Sequence, residues 1–277
     1  MRTVLECLLV VALSLWFASC GGEGDGPRQT AQPLVAIAQF VEHPVLDQVR
    51  NGFKDHFAKK ARSISYREFN AQGDFATASM IAQQVDALRP DLVLAIATPS
   101  AQACRREIKD RPLVFGAITD PVAAGLVRSL EQPGVNATGT SDFTPIVEQL
   151  DLILEIQPGC KTIGTIHNSS EINSTVLVRA LEEACKRRGI VLKVTAVTNS
   201  SEVLQAAMNL AAQVDALYEV PDNTVATAFA SLVKACRDRK VPLYGGEAEA
   251  VEQGAVASLA IDYYQLGLQT GAIAERI

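Results

Sequence analysis

The sequence predicts an α/β protein made of two doubly wound parallel-sheet lobes with a ligand cleft between them, and three observations carry that reading. Apolar runs of strand length alternate with longer stretches whose apolar residues recur at helical spacing. The runs are hydrophobic throughout instead of alternating, as Rossmann-like strands covered on both faces are; LVLAIA at 92–97 is the clearest. The order of these units up to about residue 140 is then written a second time after it, which makes two similar lobes the economical arrangement.

In the first half a strand at 33–40 leads through Val41-Glu42-His43-Pro44 into a helix from Val45 to about residue 61, where Val45, Val49, Phe53 and Phe57 form one apolar face. A second strand, 63–70, passes through Ala71-Gln72-Gly73-Asp74 into a helix that runs to Leu88. The third strand, 91–97, meets Thr98-Pro99-Ser100, read as a helix start. Thr98 is the expected N-cap, Pro99 sits where its missing N–H costs nothing, and Ser100 adds a second hydroxyl. Such a start, beyond the carboxyl edge of a parallel strand, suits an anion, although most helix caps touch no ligand. A fourth strand, 113–118, runs into Thr119-Asp120-Pro121, and the series ends at Asn136-Ala137-Thr138-Gly139-Thr140.

A connecting helix at 145–156 opens the second half. A strand at 161–166 leaves into His167-Asn168-Ser169-Ser170-Glu171-Ile172-Asn173-Ser174 and a helix reaching Gly189. A strand at 190–197, a helix capped by Ser200-Ser201 and a strand at 215–220 repeat the earlier order. The third strands of the two halves end alike, in Ala97-Thr98-Pro99-Ser100 and in Val220-Pro221-Asp222-Asn223-Thr224, and the helices after them both close on Ala-Cys-Arg, at 103–105 and 235–237. The fourth strand begins at Val241-Pro242-Leu243; a last one, 255–261, meets Asp262-Tyr263-Tyr264 and a final helix. The expected organisation is therefore a first lobe of 33–140 plus 263–277 and a second of 141–262, with hinges at the crossings near 140–145 and 260–263.

The first twenty residues are of another kind. Arg2 precedes an apolar run from 7 to 18, and Phe17-Ala18-Ser19-Cys20 places small residues before a cysteine. This reads as a secretion signal, 1–20, ending in a lipobox. Cys20 becomes the lipidated residue, and 21–32 is a flexible tether to a membrane-anchored, exported body. A plain cleaved signal or an anchor helix is the alternative, and the run is short for a membrane span.

Composition excludes several classes. Net charge is −6 with 5% aromatic residues, and no dense Lys/Arg run occurs, which argues against a nucleic-acid partner. His43, His56 and His167 lie far apart, and Cys104, Cys160, Cys185 and Cys236 show no C-x-x-C spacing, so no metal, cofactor or redox motif is expected. The cysteines read as small buried residues, with a Cys160–Cys185 disulfide an open alternative in an exported chain. G-x-S-x-G, Walker and G-x-G-x-x-G motifs are missing, which leaves an enzyme as the distant reading.

Polar residues gather instead at the strand exits: Glu42, Thr98, Ser100, Asp120, Ser141, Asp142, Asn168, Glu171, Asn173, Asp222, Asn223 and Asp262. In a doubly wound fold these exits share one edge, so two facing lobes would enclose them. Carboxylates beside helix N-termini suit a small ligand carrying both an ammonium and a carboxylate. Capping and Asx turns account equally well for about half of them.

Seven segments carry a family likeness: VEHPVLDQVRNGFKD (41–55), AIATPSAQA (95–103), ITDPVAAGLV (118–127), GTSDFTPIVEQLDLI (139–153), HNSSEINS (167–174), PDNTVATA (221–228) and IDYYQLGLQTG (261–271). In this order they resemble the tryptophan/tyrosine-binding (TrpX-like) substrate-binding lipoproteins of ABC importers, which have the type I periplasmic binding protein fold. The resemblance implies a non-enzymatic protein that captures a small extracytoplasmic ligand, with aromatic amino acids the leading class, and delivers it to ABC permease subunits. A sensing subunit that reports to a membrane receptor is the alternative. His167, Pro221 and Gly245-Gly246-Glu247 depart from the family pattern and are expected to line the cleft.

Overall fold

Ten strands among the described residues, 32–277 of the computed structural model, fall into two separate sheets of five. The leader, Cys20 and all but the last residue of the tether lie outside the described residues. Strands β1 (Leu34–Gln39), β2 (Ser65–Asn70), β3 (Leu92–Ile96), β4 (Leu113–Ile118) and β5 (Ala137–Ser141) form the first sheet, ordered β2-β1-β3-β4-β5. Strands β6 (Thr162–Asn168), β7 (Val191–Val197), β8 (Ala216–Glu219), β9 (Leu243–Gly245) and β10 (Ala257–Ser258) form the second, ordered β7-β6-β8-β9-β10. All pairings are parallel. Counted within its own half, each sheet is wound 2-1-3-4-5. The repeat seen in the sequence is thus a repeat of topology.

The helices cover both sheets: α1 (Pro44–Ala58), α2 (Phe75–Leu88) and α3 (Thr98–Glu107) on the first, then α4 (Ile146–Ile156), α5 (Ile172–Arg188), α6 (Val203–Ala211), α7 (Asn223–Thr227), α8 (Phe229–Arg239) and α9 (Glu249–Gln253) on the second. Helix α10 (Tyr263–Ala274) returns to the first lobe and packs along α1. That contact is made backbone to backbone. A Cβ on Gly52 would stand 2.3 Å from the Tyr264 carbonyl oxygen, and one on Gly267 would stand 2.3 Å from that of Val49.

The first core joins Ile37, Leu94, Ile96 and Ile118 to the apolar face of α1, with Val49 and Phe53 fully buried. Each such side chain contributes roughly 1.5–3 kcal/mol relative to exposure. The second sheet carries a core on either face. Ile166 and Leu217 point to one, Ile163 and Tyr218 to the other, as the period of two requires. Cys104, Cys160, Cys185 and Cys236 are free and buried within these cores.

Several local expectations are corrected. The N-cap of α3 is Ala97, not Thr98, so Thr98 is the first helical residue and its hydroxyl makes no cap bond. Asn199, not the serine pair, accepts the cap bond from the Ser201 amide, and it caps a short 3-10 turn at Ser200–Glu202 ahead of α6. The strand expected over 255–261 is ordered as sheet only at Ala257–Ser258, because Leu259 to Asp262 leave the sheet as the second crossing between lobes. The helix expected after Asp222 is broken between α7 and α8 at Ala228.

The two crossings, after β5 and after β10, are tied side by side. Gln149 of α4 donates to the Leu259 carbonyl at 2.6 Å, and the Tyr263 hydroxyl donates to Asp142 Oδ2 at 3.1 Å.

Candidate functional site

In a 2-1-3-4-5 sheet the winding direction reverses between the first and third strands, and the crevice beyond their carboxyl ends is where a ligand can enter. The reversal lies between β1 and β3 in the first lobe and between β6 and β8 in the second. The four exits from these strands meet around one partly open cavity. His43 comes from the first exit, Ala97 and Thr98 from the second, Asn173 from the third, and Pro221, Asp222 and Asn223 from the fourth. Asp142 and Tyr263 enter from the two crossings, Ala117 and Thr119 from the end of β4, and Glu247 from the loop after β9.

Five of the residues expected from the sequence line this cavity: Thr98, Asp142, Asn173, Asp222 and Asn223. The other seven do not, and local hydrogen bonding explains most of them. Asp120 accepts from the Val122 and Ala123 amides at 3.0 and 2.9 Å, and Asp262 caps α10 through the Gln265 amide at 2.9 Å. Ser141 donates to the Thr119 carbonyl at 2.9 Å, and Asn168 Oδ1 accepts from the Ser170 amide at 2.9 Å. Ser100 is buried in the first turn of α3, and Glu42 points to solvent.

Glu171 is fully buried yet faces the protein instead of the cavity. It accepts from the Asn223 and Thr224 amides at 3.1 and 3.0 Å, from the Thr224 hydroxyl at 2.8 Å and from Asn173 Nδ2 at 3.2 Å. Asn223 Nδ2 completes the set. This carboxylate locks the start of α5 to the start of α7 and so shapes one wall. Asp222 does similar work, accepting from the Asn168 amide at 2.7 Å and the Val225 amide at 2.9 Å.

Three polar atoms at the cavity remain without a partner: Thr98 Oγ1, Asp142 Oδ1 and Asn173 Oδ1, on residues 3%, 6% and 7% exposed. Buried polar atoms are otherwise paired, since an unpaired one costs about 1–3 kcal/mol. Their convergence on one cavity marks them as groups held ready for a ligand.

The electrostatics are one-sided. Asp142, Asp222 and Glu247 line the cavity, and its lining includes no lysine or arginine. Burial pushes the Asp142 carboxyl up to about 6, partly offset by its bond to the Tyr263 hydroxyl. Burial raises Asp222, and the nearby Glu171 adds to it. Glu247 is raised well above the usual carboxylate range, by burial first and then by Glu219, Glu249, Asp142 and Asp222. His43 is driven the other way, down to about 4, because burial disfavours its cation more than Asn223 and Asp47 favour it. Such a site attracts a cationic group and repels a free anion.

Two lining residues carry unusual backbone. Ala97 has φ 71° and ψ 151°, a region otherwise kept for glycine, and Ala117 has φ 56° at the point where the β4–β5 register shifts. Nothing in the sequence marks either alanine as strained. His43 and Tyr263, in contrast, stand beside residues already singled out, and Glu247 and Pro221 lie in segments that depart from the family pattern. His167, another such departure, is buried in β6 and does not line the cavity.

Both lobes supply the walls, and Gln48 of α1 reaches Glu249 of α9 across the cleft. Two parallel α/β lobes that close on a polar cavity at their facing reversal points define a solute-binding protein. The chain belongs to the family of ABC transporter substrate binding proteins, whose model matches residues 34–277. It is therefore the extracytoplasmic component that captures a solute for an ABC importer. It is 39% identical over 93% of its length to the tyrosine-binding protein of Clostridioides difficile, covering 76% of that protein. It is also similar to a solved conserved domain protein from Vibrio cholerae, at 40% identity, with TM-score 0.87 and coverage of 88% of this chain and 84% of that one.

Two further solved relatives differ in state. One is an ABC domain from Streptococcus pneumonia in complex with L-Trp, matched at 34% identity with TM-score 0.87 over 89% of this chain and 84% of the other. The other is the ligand-free, open structure of a substrate binding protein with adhesive properties from Clostridium difficile, matched at 40% identity with TM-score 0.66 over 88% and 84%. The higher identity goes with the poorer superposition, which agrees with lobes that are drawn together in this chain.

Proposed function

We propose that the solute is an aromatic α-amino acid, held with its ammonium on Asp142 and Asn173 and its carboxylate at the Thr98 end of α3. The observation that carries this is the set of unpartnered buried atoms on the cavity, two acceptors and one hydroxyl, beside the first turn of a ten-residue helix. Acceptors suit an ammonium, while a hydroxyl and first-turn amides suit a carboxylate. Asp222 and Asn223 complete the wall from the second lobe. Val45, Leu46, Ala97, Ala117 and Pro221 give the cavity an apolar part for a ring. The relatives that bind tyrosine and L-Trp support the aromatic class.

We further propose that the body, divided into lobes at 33–140 plus 263–277 and 141–262, is anchored to a membrane through lipidated Cys20 and hinges at its two crossings. A thermal-shift screen over the amino acids tests the ligand class, because a ligand at 100 times its Kd adds about 2.7 kcal/mol to stability. Stabilisation by tyrosine or tryptophan above all others is the expected result. Equal indifference to every amino acid refutes the reading.

A further inference from the structure

We propose that Glu247 is a specificity residue that reads a hydrogen-bond donor on the ligand's side chain, so that the cavity takes tyrosine or tryptophan and rejects phenylalanine. This rests on the aromatic amino-acid reading and adds to it the polar group that the ring must carry.

The geometry begins with a second cavity next to the first. Its walls include Pro44 and Val45 from the start of α1 and Ala226, Phe229 and Ala250 from the second lobe, an apolar side that faces the polar Glu249 and Gln253. His43, Val45 and Glu247 line both cavities and form the waist between them. Asp142, Thr98 and Asn173, the groups proposed to hold the amino-acid head, line only the first. A side chain leaving that head toward the second cavity therefore passes Glu247.

Glu247 has no partner of its own. Among the described residues its backbone carbonyl accepts from Ser258 Oγ at 2.7 Å, but its carboxyl group makes no hydrogen bond or ion pair. Behind it, Glu219 is held by the Gly246 amide at 3.0 Å and leaves Oε1 unpartnered and buried. No cation approaches this group of acids within the cavity lining. Burial and the surrounding Glu219, Glu249, Asp142 and Asp222 raise the Glu247 carboxyl well above the usual carboxylate range and so favour its neutral form, which can both accept and donate. A phenol hydroxyl or an indole N–H satisfies such a group. A phenyl ring covers it and leaves it unpaired, and sites built for a donor discriminate strongly against an analogue without one.

Calorimetric titration of the full chain with tyrosine, tryptophan and phenylalanine tests this in the parent, in Glu247→Gln and in Glu247→Leu. Glutamine reproduces the acceptor and donor of the neutral acid, and leucine removes both. The parent should bind tyrosine or tryptophan at least about tenfold more tightly than phenylalanine, the loss expected for one hydrogen bond. Glu247→Gln should keep that ratio, and Glu247→Leu should bring it to about one. A parent that binds phenylalanine as tightly as tyrosine overturns the assignment of Glu247 while leaving the aromatic reading in place. A Glu247→Leu protein that still binds and still discriminates overturns it as well. Failure of all three amino acids to bind the parent overturns both readings.

Discussion

Replacing Asp142 by asparagine should strengthen the empty protein and weaken its function at the same time. Asp142 is buried, with Tyr263 on one oxygen and nothing on the other, and its carboxyl is raised from 3.8 to about 6. Holding it ionised near neutral pH therefore costs the folded state about 3 kcal/mol, since each tenfold weakening of an acid corresponds to about 1.4 kcal/mol. Asparagine keeps an acceptor for the Tyr263 hydroxyl and removes the charge. Its amide still loses hydration, so a net gain of about 1–3 kcal/mol is expected, or roughly 2–12 °C in Tm for a chain of this size. Ligand binding should fall by about 2–5 kcal/mol, because the ligand's ammonium is then buried without its counter-charge. Scanning calorimetry without ligand and isothermal titration with tyrosine measure the two quantities on one preparation. An Asp142→Asn protein that melts lower and binds unchanged would refute both the desolvation account and the placement of the ammonium.

The same chemistry sets the pH dependence of the empty protein. Asp142, Asp222 and Glu219 have raised folded values, so the folded state binds more protons and stability should fall as pH rises from about 5 to about 7.5. His43, lowered to about 4, and His167, lowered by burial, act oppositely by losing stability as pH falls below about 6.5, but two imidazoles oppose three carboxyls. A Tm that climbs steadily over this range would contradict the assignment. Glu171→Ala strands the amides of Asn223 and Thr224 in a buried site and should cost about 3–5 kcal/mol, read as a lowered denaturation midpoint; a change under about 1 kcal/mol would show that the α5–α7 lock is unimportant. Cys20→Ala should abolish lipid labelling and release the body, and membrane retention with no lipid on Cys20 would defeat the lipobox reading. Small-angle scattering should show a smaller radius of gyration with tyrosine than without it, and identical values would count against hinge closure.

The winding of both sheets was legible because fully buried parallel strands are written as unbroken apolar runs, as at 92–97, and because the second half repeats the first. The strand exits were legible for the same reason, and they led to Thr98, Asn173, Asp222 and Asn223. What a sequence cannot separate is a carboxylate that faces a cavity from one that faces an amide. Asp142 and Glu171 are both buried acids near a helix start, and only their partners tell them apart. The waist residue Glu247 follows a three-residue strand in a loop whose path depends on Gly245 and Gly246 packing against Ala250 and Pro221. Ala97 and Ala117 carried no signal, since alanine is not the residue expected at a positive φ.

The return of α10 to the first lobe makes that lobe depend on chain from both sides of the second. Sheet β6–β10 and its helices come from one unbroken stretch of chain and can be completed as soon as that stretch is available. The first lobe cannot. Its α1 presents Gly52 and the Val49 carbonyl to a helix that lies more than two hundred residues further on. Until that helix arrives, the bare face of α1 exposes backbone that no other described element covers so closely. A chain emerging N-terminus first would therefore finish its second lobe before its first, and the Tyr263–Asp142 bond, which joins the two crossings, would be among the last contacts to form. The solute cavity would come into being in that final step.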